Sequence, residues 1–246
     1  MPVEFIADLH IHTCLSPCAE LSMTPRGIVE KAAALGINII AVCDHNSMEN
    51  VEVTRDVAKG KGICVIAGME INSAEEVHIL GLFGDSDAAR RMQEIVYLNL
   101  QPGENDEDAI GMQVIVNADD EVLGFNRRLL IGATGLSVNR IVELVHDLNG
   151  IAVASHIDRD VFGIIGQLGF IDPGICFDAL EISCRKTADE ARALYGEYGH
   201  IPWISSSDAH QVDEIGRRTS RFLLHHATFD EICLALKDAG RERVYF

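Results

Sequence analysis

Short apolar runs separated by helical patterns set the tightest limit on how this chain can fold. Residues 3–9, 63–67, 77–83, 151–155, 179–183 and 203–206 each have the length and side chains of a strand. Residues 37–42, apolar but for Asn38, read as a strand buried on both faces. Helical patterns lie between them at 48–58, 138–148 and 187–198, with a last strand at 221–224 and a last helix at 230–239. Thr24 and Pro25 form a helix start, cap first and proline in the first turn, and that helix stops at Gly36. Repeated strand and helix units predict parallel strands in a barrel or doubly wound sheet. A chain of 246 residues suits one such domain, 1–246.

Residues 85–134 break the alternation. A helical pattern runs through Arg90, Arg91 and Ile95, an acidic loop spans 102–108, and 113–117 and 121–125 read as a hairpin around Ala118, Asp119 and Asp120. This segment is expected to be a small subdomain inserted in the barrel. Its apolar hairpin would serve either as a cap over the barrel mouth or as a contact in a homo-oligomer.

The formal net charge is −18. Such a chain repels polyanions and has no basic stripe, which argues against long duplex nucleic acid as a partner. A phosphate substrate would need a local positive charge, and bound metal ions supply one. Seven cysteines, an odd number, do not read as a secreted disulfide framework. The start carries no basic segment followed by an apolar run, and no apolar stretch is long enough to span a membrane. The expected setting is cytoplasmic, with no membrane partner.

Chemistry-bearing residues collect where strands end. Asp8, His10 and His12 alternate with Leu9 and Ile11, so on a regular strand the three polar side chains share one face. Taken alone, two histidines at that spacing suit a shared metal ion about as well as a chance polar face. Asp44-His45-Asn46 follows the second strand, Glu70 the third, His156 the strand at 151–155, and Ser207-Asp208-Ala209-His210 the strand at 203–206. Each is weak alone, but in a barrel all these strand ends converge on one face. His78 lies among apolar neighbours and by spacing reads as a buried structural histidine.

The set Asp8-Leu-His10-Ile-His12, Cys43-Asp44-His45-Asn46, Gly68-Met-Glu70, Val77-His78-Ile-Leu-Gly81, Ser155-His156 and Ser207-Asp208-Ala-His210 resembles the polymerase and histidinol phosphatase (PHP) family, in the family's order. The resemblance implies an α/β fold, a distorted (β/α)7 barrel, and a centre of two or three divalent ions such as zinc, manganese or iron. It implies that His10, His12, Glu70 and Asp208 hold one ion. Glu70 would bridge to a second, also held by His78 and His156, and His45 with His210 would hold a third. Asp44 and Asp8 would orient the histidines, as bound imidazoles require. Relatives often carry a further Asp or His after His12; here Cys18 occupies that region and is a candidate thiolate ligand, which would favour zinc or iron. Arg159, just after His156, would grip a phosphate, and Arg185 is a second candidate for substrate contact.

The function implied is hydrolysis of a phosphoester by a hydroxide shared between metals, with a water on the third metal, Asp208 or His210 as candidate proton donors to the leaving oxygen. The substrate would be a small phosphorylated molecule, a nucleotide or a short oligonucleotide. Two other readings remain. An amidohydrolase also begins with His-x-His, but many use a mid-barrel lysine, and none of the five lysines falls there. A non-catalytic, metal-stabilised module would be expected to have lost several ligands.

Overall fold

The computed structural model describes residues 1–237 and 244–246. The strands are β1 (Val3–Ile11), β2 (Ile39–Val42), β3 (Cys64–Asn72), β4 (His78–Phe83), β5 (Val114–Val116), β6 (Val122–Phe125), β7 (Ile151–Ala154), β8 (Ala179–Glu181), β9 (Trp203–Ile204), β10 (Ser220–Leu224) and β11 (Val244–Tyr245). The helices are α1 (Pro25–Ala34), α2 (Val51–Ala58), α3 (Ser86–Asn99), α4 (Val138–Asp147), α5 (Ile164–Leu168), α6 (Ala188–Tyr195) and α7 (Phe229–Lys237). The end of the helix expected at 230–239 lies outside the described residues.

One sheet carries the fold, in the order β11-β10-β1-β2-β3-β4-β7-β8-β9. It curls until the chain just past β9 meets β1 again. Ile11 forms a parallel bridge with Ala209, and the His12 amide donates to the Ala209 carbonyl at 3.0 Å. The result is the expected α/β barrel, nearly closed, with two apolar layers. Ala7, Leu9, Ile39, Ala41, Ile66, Leu80, Leu82 and Val153 fill the inside, and Phe222 and Ile232 pack with them. The other face of the strands, with Ile40, Val42, Ala67, Ile71 and Ile79, packs against Ile28 and Val29 of α1 and Ile141 and Val145 of α4.

Helix starts follow the local chemistry. Thr24, Asp85 and Ser137 each cap a helix by accepting a backbone N–H in its first turn. Thr187 and Glu190 form a reciprocal capping box at α6.

Two departures from regular alternation matter for the site. First, β4 is antiparallel to both β3 and β7. Residues 73–77 are too few for the crossover helix that parallel strands need, so the chain turns back on itself. Second, the register of β1 against β2 slips between Asp8 and Ile11, the mark of a bulge. Leu9 therefore joins Ala7 in the inner layer while Ile11 faces the helices. The expectation that Asp8, His10 and His12 share one face fails for this reason. Asp8 instead accepts from the Ser207 and Gly216 amides, 3.0 Å each, and holds the loop that carries Asp208.

Residues 100–134 lie against the loops after β1 and β2. The Val114 amide donates to the Cys14 carbonyl at 2.9 Å, and Cys14, Val114 and Val116 form a small buried cluster. Asn50 ties the same place together: its amide group donates to Thr13 Oγ1 and the Val114 carbonyl, and its Oδ1 accepts from Val116 N. Asn46 Nδ2 donates to the carbonyls of Leu130 and Gly132 at 2.7 and 2.8 Å. Gly111, at φ 123°, lies so near the 13–18 loop that an added Cβ would stand 2.0 Å from the Pro17 carbonyl oxygen.

Gly111→Ala is therefore expected to destabilise the protein by about 1–3 kcal/mol, the usual range for overpacking. Urea unfolding compared with Gly124→Ala, where an added Cβ meets nothing within 4 Å, measures the difference.

Candidate metal centre

The centre of the site is a buried carboxylate. Glu70, near the end of β3, is 1% exposed. His78 Nδ1 stands 2.9 Å from its Oε1, His156 Nε2 3.1 Å and His10 Nε2 3.4 Å. His45 Nδ1 and His12 Nε2 approach Oε2 at 3.2 and 3.5 Å. Five imidazoles from β1, β4 and the segments after β1, β2 and β7 thus converge on one side chain.

The backbone explains the convergence. β3 continues past the end of β2, and a bridge between His45 and Glu70, with the Glu70 amide donating to the Asp44 carbonyl, extends the ladder to that depth. Because β4 runs backwards, His78 at its start reaches the same mouth as the ends of the parallel strands. That reversal moves a histidine that spacing alone reads as structural into the cluster.

Asp208 forms a second focus. Its Oδ1 lies 3.1 Å from His12 Nε2 and 3.4 Å from His10 Nε2, and its Oδ2 pairs with Arg159 at 2.5 Å. The His12 and His210 rings stack with centroids 4.1 Å apart. Asn46, His156 and Asp208 all hold positive φ, at 50°, 28° and 50°, so backbone strain gathers where these side chains are aimed.

Among the described residues, three groups have donor atoms close enough to share an ion: His10, His12, Glu70 and Asp208; His45, Glu70 and His78; and His12, His45 and His210. His156 adjoins them through Glu70. The grouping differs in part from the expected one, because His45 stands beside His78 and His12 beside His210. Cys18, an exposed residue, belongs to none of the three groups. Desolvation, with Glu70 and Asp208 nearby, pushes its thiol up to about 12. Arg185 is also exposed, and no described contact links its side chain to the histidines.

The charge states of Glu70, Asp208, His12 and His45 suit metal binding. Burial pushes Glu70 upward, but His78 and His10 more than offset it and hold the carboxyl well below its usual range. Asp208 is likewise held low against burial by His10 and His12. Burial, aided by His210, lowers His12 to about 4, and burial with His12 lowers His45 further from the ordinary value. His10 differs: burial pushes it down, but Glu181, Asp208 and Glu70 raise it well above its ordinary value, so its ring would give up a proton on taking an ion, since anionic carboxylates and neutral imidazoles are the forms that bind metals. Both ring nitrogens of His78 and Nδ1 of His156 are buried without a hydrogen-bond partner, the condition of donors that an ion would satisfy.

The side chains behind the cluster include one the sequence reading missed. Glu181, at the end of β8, is 1% exposed and accepts from His10 Nδ1 at 3.0 Å through Oε2, which also accepts the His156 amide at 3.1 Å. This fixes the His10 ring with Nε2 toward Glu70. Its signal was present, a lone carboxylate in the otherwise apolar run Ala179-Leu180-Glu181-Ile182. Ser16 was missed as well: His12 Nδ1 meets its Oγ at 3.0 Å, and Oγ donates to Asp44 at 2.7 Å. Asp44 thus orients a histidine through a hydroxyl, while its other oxygen accepts from Thr13 Oγ1. Desolvation raises Asp8 to about 6, against the lowering effect of its bonds to Ser207 and Gly216.

Comparison with known proteins agrees with this geometry. The family model for the PHP domain matches residues 8–201. A 5'-3' exoribonuclease of Haemophilus influenzae is 36% identical over 78 residues, which are 30% of this chain and 27% of that protein. Endonuclease Q from Pyrococcus furiosus superposes with a TM-score of 0.75 at 20% identity, over 98% of this chain and 58% of that one. A structure of endonuclease Q with a 27-mer duplex, an abasic lesion at its active site, gives 0.74 at the same identity and coverage. At 20% identity the likeness is one of fold, and the chain spans only part of each of these proteins.

The duplex-bound neighbour corrects one expectation. The −18 charge does not exclude long duplex nucleic acid for a barrel of this kind. Net charge averages over a whole surface, whereas cations at the mouth such as Arg159, and any ions held there, would set the field a phosphate meets. Among the described residues no helix is long and apolar enough to cross a membrane.

Glu181→Gln keeps an acceptor for His10 but removes the charge. Its metal affinity is expected to fall about 10–100-fold, as for other residues that orient metal ligands. Calorimetric zinc titration, with circular dichroism to verify the fold, measures this.

Proposed function

The chain belongs to the PHP domain family, and from that premise we propose that its histidine and carboxylate cluster binds divalent ions and hydrolyses a phosphoester. The observation that carries this reading is Glu70, one carboxylate whose two oxygens each face imidazoles, as a group bridging two ions must. His10, His12, Glu70 and Asp208 would hold one ion; Glu70, His78, His45 and His156 would hold the other. The third group shares His12 and His45 with these two and adds His210, so the centre would hold two or three ions. Imidazole and carboxylate donors suit zinc, manganese or iron.

When bound, such ions acidify water to a nucleophile and neutralise charge on phosphoryl oxygens. The chain's own side chains do the rest. Arg159 lies half-buried beside Asp208, where its planar guanidinium can take two oxygens of a phosphate. Glu181 and Ser16 keep His10 and His12 from rotating. Asp208, held anionic, is a poor proton donor at neutral pH. His210 has the most exposed ring of the cluster and would hand a proton to the leaving oxygen; its Nδ1 lies 2.9 Å from the Asp208 carbonyl. Residues 85–134 would act as an inserted unit walling one side of the mouth. Nucleotides and nucleic-acid strands, single or duplex, belong in the substrate panel, because the relatives named above are nucleases.

Incubation with manganese, zinc or iron(II) and a panel of phosphomonoesters, cyclic nucleotides, oligonucleotides and duplexes tests the reading. Hydrolysis should vanish on chelation and return with metal. Arg159→Met should lower kcat about 10²-fold with metal content unchanged, as expected for loss of one charge-stabilising donor. Absence of hydrolysis from folded, metal-loaded protein across the panel would sink the proposal.

A further inference from the structure

Phe162 stands in the segment after β7, at φ 62°. That left-handed conformation is an outlier for a bulky side chain and persists only where the surroundings over-determine it. They do so here. Ile157 and Ile164 are buried on either side. A Cβ on Gly163 would stand 2.4 Å from the Arg159 carbonyl oxygen, and one on Gly166 2.4 Å from that of Asp160. The turn is wound too tightly to relax around Phe162.

What the strain achieves is a contact with the cluster. The Phe162 ring lies flat on the His78 imidazole, centroids 4.4 Å apart and planes 9° from parallel. Its carbonyl accepts the His78 amide at 2.9 Å. His10 has Glu181 behind it, His12 has Ser16, and His210 has the Asp208 carbonyl. His78 has no such polar brace: neither ring nitrogen makes a well-formed hydrogen bond, although Nδ1 lies 2.9 Å from Glu70 Oε1. A ring without a polar brace is free to turn about its side-chain torsions unless packing stops it.

We propose that Phe162 is a positioning residue for His78, its stacked ring fixing the imidazole plane that directs Nδ1 at Glu70. The consequence for metal binding rests on the reading of His78 as a ligand. Arg159, three residues earlier in the same turn, is held by the same packing, so one rigid segment sets both a phosphate-directed cation and a histidine plane.

Four variants test this: Phe162→Tyr, Phe162→Leu, Phe162→Gly and, as reference, His78→Ala. Cobalt(II) titration followed by its visible spectrum reads the site, and circular dichroism reads the fold. Tyr keeps a ring and should bind as the parent does. Leu keeps apolar bulk and Gly relieves the strained φ, yet both lose the ring. Each should weaken the His78-containing site about 10–100-fold, the range for residues that orient ligands. Parental affinity in folded Leu and Gly variants overturns the proposal, and parental affinity in Gly alone shows that strain, not stacking, mattered and overturns it too. If His78→Ala itself binds cobalt normally, the ligand reading fails, and histidine side-chain NMR then decides the role of Phe162. Ring-current displacement of the His78 ring protons should be present in the parent and Tyr variants and absent in Leu; its persistence in Leu refutes the stacking claim.

Discussion

The site depends on one buried carboxylate meeting five imidazoles. Glu70 lies almost out of contact with water, where an isolated charge would be very costly. It stays ionised because His78 and His10 outweigh the effect of burial. Those histidines come from different strands, so the arrangement exists only when the barrel has closed. The strand ends are locked in turn by hydrogen bonds made for that purpose: the His45–Glu70 bridge, the Asp8 bonds to the Ser207 and Gly216 amides, and Glu181 joining His10 to the His156 amide.

Irregular backbone supplies the aim. A bulge in β1 turns His10 and His12 inward, the reversed β4 brings the start of a strand to the mouth, and positive φ at Asn46, His156, Phe162 and Asp208 points residues where regular strands would not. Such features cost stability individually and are held by their surroundings. Gly68 shows the same economy of space in the interior, since a Cβ there would stand 2.4 Å from Cys43 Sγ, directly below Glu70 on the strand. Residues 100–134 belong to this scheme. Through Asn46, Asn50 and Val114 they brace the loops that carry Ser16 and His45, which is more than a detachable cap would do.

The branching of roles among the polar residues follows from what each can reach. Asp8 and Asp44 are both carboxylates near histidines in sequence, yet neither touches one directly: Asp8 binds backbone amides, and Asp44 works through Ser16. Glu181, more than 100 residues distant from His10 in the chain, bonds its Nδ1 directly. Sequence neighbourhood is a poor guide to which carboxylate orients which imidazole, because hydrogen bonds in a closed sheet run between strands.

By itself the sequence determined the α/β barrel, the convergence of His10, His12, His45, Glu70, His156, Asp208 and His210 at its mouth, and the family. These are legible because strand and helix periodicity is local, and because residues that follow strand ends in such a barrel must gather on one face. His78 entered the cluster only by resemblance, since nothing local reveals that β4 runs backwards. Tertiary structure alone decided that reversal, the slip in β1 that separates Asp8 from the histidines, and the contacts of Glu181, Ser16 and Phe162. Each of these is set by which strands pair and in what register, a property of segments far apart in the chain. Net charge misled for the converse reason: it is a sum over the whole surface, and what a phosphate meets at the mouth is a local field.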